Sequence, residues 1–218
     1  MREILLAEGE HYHIIGRGNN KEKIFLDDRD YSRFLFLILY FQSSHNFINI
    51  GRNVTYFKNK KDFGIEQDKV DLIVSNRYVE LVNFCIMPNH YHLTVFNKTD
   101  KGISKYMQRV LNAYAKYFNT KYKQTGHVFQ GPYKAVHISD DVQLQYLSTY
   151  IHKNPTEIKG ENYKTYKWSS YQDYIDKNRW GGLLKPEIIT ESFGSKNNYK
   201  NFVQDSPAKD WSQVDLNC

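Results

Sequence analysis

Residues 79–96 read VELVNFCIMPNHYHLTVF, and this stretch decides the architecture. Val79 to Met87 and His90 to Phe96 are rich in β-branched and aromatic residues, with Pro88-Asn89 as a turn between them. That pattern predicts two antiparallel strands joined as a hairpin. Alternate residues of a strand share a face. His90 and His92 therefore project together, while Tyr91, Leu93 and Val95 point the other way, into a core. Two imidazoles side by side form a bidentate site for a divalent metal ion. The same spacing arises when two histidines merely rest on a sheet face, so it does not choose by itself.

Outward from the hairpin, strand and helix signals interleave. His11 to Gly18 reads as a short strand running into a turn that carries Gly16, Arg17, Gly18, Asn19 and Asn20. Asp27 and Asp28 stand where an N-cap is expected, before a helical run over Tyr31 to Phe41. Residues 42–76 hold apolar and aromatic side chains without a clean period, and a charged patch at Lys58 to Asp62. They read as an insertion or irregular connection. Gly102 to Tyr122 is an amphipathic helix, with Ile103, Met107, Val110, Tyr114 and Phe118 at spacings of three and four. Gly126 to Ile138 reads as strand, turn and strand. Ser139 is the expected cap of a helix over Asp140 to Lys153, which Pro155 ends. Trp168 to Ile175 is a short helical or turn element, and from Lys177 the chain is a polar extension. The expected organisation is a domain over 1–176, with the insertion at 42–76, followed by the extension at 177–218. The fold class is α+β, with an antiparallel or mixed sheet covered by helices.

A second chemical feature lies at residues 146–155, YLSTYIHKNP. Positions i and i+4 adjoin on a helix, so Tyr146, Tyr150 and Asn154 form a polar stripe opposite Leu144, Leu147 and Ile151. A phenol on such a stripe can attack a phosphate as a covalent nucleophile, and an amide one turn later can supply an oxygen to a metal. The same stripe also suits packed aromatics with an Asn near the helix end.

Composition narrows the class of partner. The net charge is +6 and the pI about 9.0 over 218 residues. Between Lys98 and Ile138 there are eight bases and a single acid, Asp100, so the positive field sits mid-chain and favours a polyanion. The two cysteines, Cys85 and Cys218, suggest neither a zinc site nor a disulfide framework, and a reducing, cytoplasmic location is expected. Met1 to Glu10 lacks an apolar signal-peptide core, and no run long enough to span a membrane occurs. No Gly-rich phosphate loop with its Lys-Ser/Thr is present, so no nucleotide cofactor is expected.

Six separated motifs, in order, resemble the HUH-type single-tyrosine transposases, above all the branch associated with repetitive extragenic palindromes (REP). They are residues 12–20 (YHIIGRGNN), 24–28 (IFLDD), 87–93 (MPNHYHL), 126–131 (GHVFQG), 150–155 (YIHKNP) and 168–171 (WSSY). The resemblance implies a ferredoxin-like antiparallel sheet flanked by helices. It assigns His90 and His92 to the pair that binds Mg²⁺ or Mn²⁺, Tyr150 to the nucleophile, and Asn154 to the residue completing the metal site. It also implies cleavage and rejoining of single-stranded DNA at the foot of a hairpin. Tyr91 adds a hydroxyl to the bulky apolar residue usual between the histidines. Residues 42–76 have no clear counterpart in that pattern.

On that reading Lys105, Arg109, Lys116 and Lys134 contact phosphates, while Arg17, Asn19 and Asn20 are placed to read bases. Phe129, Tyr133 and Trp168 are candidates to stack unpaired bases. His152, beside Tyr150 in sequence, is expected on the surface or away from the metal. Competing readings are a non-catalytic nucleic-acid-binding relative and a metal-dependent nuclease using water. Related transposases form homodimers, and the REP-associated branch suggests a monomer, which is the state expected here.

Overall fold

The computed structural model describes residues 6–207. Strands β1 (His11–Arg17), β2 (Val79–Ile86), β3 (His90–Asn97) and β4 (Lys134–Ile138) form one antiparallel sheet in the order β2-β3-β1-β4. Helix α1 (Asp28–Tyr40) lies between β1 and β2, after which the chain adds α2 (Ile50–Lys60) and α3 (Gln67–Ser75). Helix α4 (Gly102–Tyr122) connects β3 to β4, and α5 (Asp141–Lys153) follows β4. Short helices α6 (Tyr171–Ile175) and α7 (Glu187–Thr190) precede α8 (Lys196–Asp205). Two interleaved β-α-β units with the first and third strands adjacent make the expected ferredoxin-like α+β fold.

The hairpin is where the residue pattern placed it. Tyr91, Leu93 and Val95 are fully buried, on the face covered by α1 and α4. Phe34 of α1 packs its ring 4.8 Å from Tyr91, and Tyr106 and Tyr114 of α4 donate to the carbonyls of Ile38 and Ile24. Gly16 on β1 is required by this packing, because a methyl group there would overlap the Tyr91 hydroxyl.

Helix α1 begins in a reciprocal cap. Asp27 accepts from the backbone of Arg29 and Asp30, while Asp30 accepts from the backbone of Leu26 and Asp27. Asp30 is fully buried and also takes the hydroxyls of Tyr117 and Tyr122 and the Lys121 ammonium, joining α1 to α4.

Four sequence expectations change. Residues 42–76 fold into two helices rather than an irregular connection, with Ile50, Val54 and Phe57 of α2 turned inward. Residues 126–133 form a loop carrying one bridge, Gly18 to Phe129, instead of a strand. The cap of α5 is Asp140, whose carboxylate accepts from Gln143 N, while Ser139 donates to the side chains of Asp140 and Gln143. The segment from 177 packs firmly within the described residues: Trp180 lies against Phe57 and Phe63, Leu184 is buried, and Gln42 donates to Leu183 O. Residues 168–170 bond along the free edge of β2 and so cover it. Cys85 is buried, which pushes its thiol pKa up. Cys218 and the first five residues lie outside the described residues. Among the described helices none is long and apolar enough to cross a membrane.

Candidate active site

Helix α5 lies across the sheet face opposite α1 and α4, and that face carries the candidate residues. The register sets Arg17 opposite His90, Ile15 opposite His92 and His13 opposite Thr94. His13 and His92 are therefore diagonal neighbours, and their ring nitrogens, Nε2 and Nδ1, lie 2.9 Å apart. The two rings stack with centroids 5.1 Å apart. Above them the half-buried Tyr150 ring stands edge-on, 5.6 Å from His92 and 6.5 Å from His13. Tyr146, one turn earlier, packs on Phe202 of α8, with centroids 5.0 Å apart. The stripe of hydroxyls read from sequence thus divides. Tyr150 serves the histidines, and Tyr146 serves a helix contact.

His90 is tautomerically fixed. Its Nδ1 meets Asn89 Oδ1 at 2.7 Å, and an amide oxygen only accepts, so Nδ1 carries the proton. Asn89 is itself held by donating to Lys21 O. The Nε2 lone pair of His90 is left for another partner. Burial lowers the pKa of His90 to about 4, with the Arg17 guanidinium adding to the effect. Burial also lowers His13, to about 3, aided by Lys134. His92 is held well below its usual value by burial, then by His13, His90 and Arg17. All three rings are neutral near pH 7.

Asn154 follows the last turn of α5. Its amide nitrogen donates to Tyr150 O at 2.9 Å, which turns its oxygen the other way. That oxygen is buried, faces the His90 ring and lacks a hydrogen bond of good geometry. A buried acceptor without a donor is costly in a native interior. Next to two neutral imidazoles it fits a cation. Among the described residues no three His, Cys, Asp or Glu side chains cluster as metal ligands. An ion held by His90, His92 and Asn154 would keep positions open for phosphate oxygens.

The residues assigned to DNA fall into two groups. Arg17 and Lys134 are on the same face as the histidines, Lys134 opposite Ile15 of β1. Asn19 and Asn20 lie in the adjoining exposed loop. Gly18 N donates there to Asn89 O, and Asn19 N to Val128 O. Asn20 has φ 52°, a left-handed conformation asparagine tolerates. Lys105, Arg109 and Lys116 are on α4, across the sheet from the histidines. Arg109 is engaged with His45 O and Asn46 and covers Phe41, while Lys105 lies over Tyr78. Trp168 stacks on Tyr31, has Lys167 over its ring and is 6% exposed, so it offers no platform for a base. Phe129 packs toward Tyr91 and Tyr114.

His152 is buried rather than exposed. It bonds Tyr199 Oη at 2.8 Å and Ser170 Oγ at 2.9 Å, and burial lowers its pKa to about 3.

His13 was not anticipated from the chain order. A signal was present: residues 11–13 repeat the His-Tyr-His of residues 90–92. Pairing of the two strands brings only one of the first two histidines to the site, because His11 lies opposite Phe96.

The inner strands of this ferredoxin-like sheet thus present two stacked imidazoles beneath a helix-borne tyrosine. Residues 55–154 match the family described as IS200-like transposase. The structure is similar to that of a REP-associated tyrosine transposase bound to a REP hairpin. The TM-score is 0.51 and the identity 12%, over 81% of this chain and 85% of that one. At that identity the likeness is one of fold. No curated protein matches the sequence. The chain resembles the IS200-like, REP-associated tyrosine transposases in family signature and in fold.

Proposed function

We propose that the protein cleaves and rejoins single-stranded DNA next to a hairpin through a covalent link to Tyr150. The observation that carries this reading is the position of the Tyr150 ring, edge-on above the His13–His92 pair and one turn from the buried amide oxygen of Asn154 that faces His90.

His90, His92 and Asn154 would hold Mg²⁺ or Mn²⁺. For His92 this selects the tautomer in which Nδ1–H donates to His13 Nε2, leaving Nε2 for the metal. The chemistry such an ion supplies is withdrawal of charge from a non-bridging phosphate oxygen. Tyr150 Oη attacks phosphorus in line with the bond to the 3′-oxygen. The Oη–P bond forms and the P–O3′ bond breaks, and the phenol proton reaches the leaving oxygen by way of solvent. The products are a 5′-phosphotyrosine and a free 3′-hydroxyl. Attack by another 3′-hydroxyl reverses the step and joins new ends, so no nucleotide cofactor is consumed. Arg17 and Lys134, on the same face, supply positive charge to the DNA backbone.

Incubation with Mn²⁺ and a labelled hairpin oligonucleotide bearing a single-stranded foot is expected to give a covalent adduct on a denaturing gel. Tyr150→Phe should abolish it, and Tyr146→Phe should not. Cleavage without adduct would instead support a water-using nuclease, and binding without cleavage a non-catalytic relative.

A further inference from the structure

Helix α2, whose charged C-terminal end the proposed chemistry leaves unused, lines a concave site of about 540 Å³ on the α1 side of the protein. The floor is apolar, from Val54, Phe57 and Trp168. The rim carries five cations, Arg29, Lys58, Lys61, Lys167 and Arg179, against two carboxylates, Asp27 and Asp28. Internal pairing removes part of this charge. Lys167 meets Asp28 at 2.7 Å, Arg179 meets the buried Asp173 at 2.7 Å, and Asp27 is engaged by Lys121 at 2.7 Å. Among the described residues no carboxylate pairs with Arg29, Lys58 or Lys61, and all three are exposed. Arg29 is nevertheless held in place by Thr55 Oγ1 at 3.1 Å. Three uncompensated cations around one hollow favour an anion carrying more than one charge.

The hollow offers little aromatic ring surface, since Phe57 and Trp168 are 7% and 6% exposed. It therefore suits a phosphodiester backbone rather than splayed bases. Its position also joins it to the candidate active site. The segment leading into its Asp27–Arg29 rim hangs on the β2–β3 turn, where Ile24 N and Phe25 N both donate to Pro88 O. Trp168 O accepts from Ile86 N on the other side of that turn. His90 starts β3 two residues after Pro88.

We infer that α2 and this hollow grip the backbone of the double-stranded stem of the DNA whose single-stranded foot is placed at Tyr150, which gives α2 a substrate-holding role. The inference rests on the function proposed above.

The test measures binding by the full chain in EDTA, so that no cleavage intervenes, to two labelled oligonucleotides: a hairpin with its foot, and the foot alone. K58Q/K61Q should weaken binding of the hairpin about tenfold at physiological salt and lower the slope of log K against log salt by about 2, from two lost duplex-phosphate contacts. Binding of the foot alone, and adduct formation on it with Mn²⁺, should match the wild type. Both lysines are exposed, so folding is retained, and a thermal melt checks it. Equal weakening for both oligonucleotides, or no change for the hairpin, would overturn the inference while leaving the proposed function standing. Failure of the wild-type protein to bind either oligonucleotide would overturn both.

Discussion

At the scale of single residues, the site is defined by which nitrogen of each ring is occupied. Asn89 takes the Nδ1 proton of His90, and His13 occupies Nδ1 of His92, so both rings can offer Nε2 to one point. Such hydrogen bonds behind metal ligands set ring orientation and basicity. His13→Phe keeps a ring of similar size and removes the nitrogen. It is expected to lower Mn²⁺ affinity about 10–100-fold in a calorimetric titration of the protein alone. Unchanged affinity with a lower melting temperature would mean that His13 only packs. Tyr91 makes the opposite case. Its hydroxyl is buried, has no hydrogen-bond partner and fills the space a side chain at Gly16 would take. Tyr91→Phe removes a polar group without leaving one unpaired, and should raise unfolding free energy by up to about 1 kcal/mol in urea. A loss of similar size would reveal a partner for the hydroxyl. The histidine pair and the stripe of Tyr146, Tyr150 and Asn154 were legible because period-2 and i,i+4 spacing are local geometry. His13 was not, because its partner is 79 residues away.

At the scale of elements, α1 and α4 are fastened by one buried carboxylate. Asp30 receives two backbone amides, two tyrosine hydroxyls and the Lys121 ammonium. Asp30→Ala would strand these donors and is expected to cost about 3 kcal/mol or more by chemical denaturation, against about 1 kcal/mol for Asp27→Ala, which loses mainly the cap. Helix α4 could be read from its period because its inner face is continuous, from Ile103 to Phe118. Helices α2 and α3 could not. Few of their residues turn inward, and exposed Tyr56 and Leu72 break the contrast between faces on which periodicity depends.

At the scale of the whole molecule, the C-terminal segment holds the helix that carries Tyr150. Tyr199 of α8 bonds His152 and Ser148 of α5, and Lys153 donates to Gln204 O and Ser206 O. Deleting residues 177–218 should therefore do more than shorten a tail. It removes the partner of a buried histidine and uncovers Phe57 and Phe63. The expected result is a poorly folded protein with a broad melt at lower temperature. A truncated chain melting like the full one would show that the segment is dispensable.

The sequence by itself determined the β2–β3 hairpin, the face shared by His90 and His92, the α5 stripe and the family resemblance. The first three rest on spacings of a few residues, which backbone geometry fixes wherever the segment lies, and the resemblance on the order of six such short motifs along the chain. Only the tertiary structure decided that Tyr150 rather than Tyr146 stands over the imidazoles, that His13 backs His92, and that Lys134 shares their face while the α4 cations do not. These outcomes depend on strand order and on which side of the sheet each helix covers. Both are set by burial of apolar surface across the whole chain, and no local pattern contains that sum.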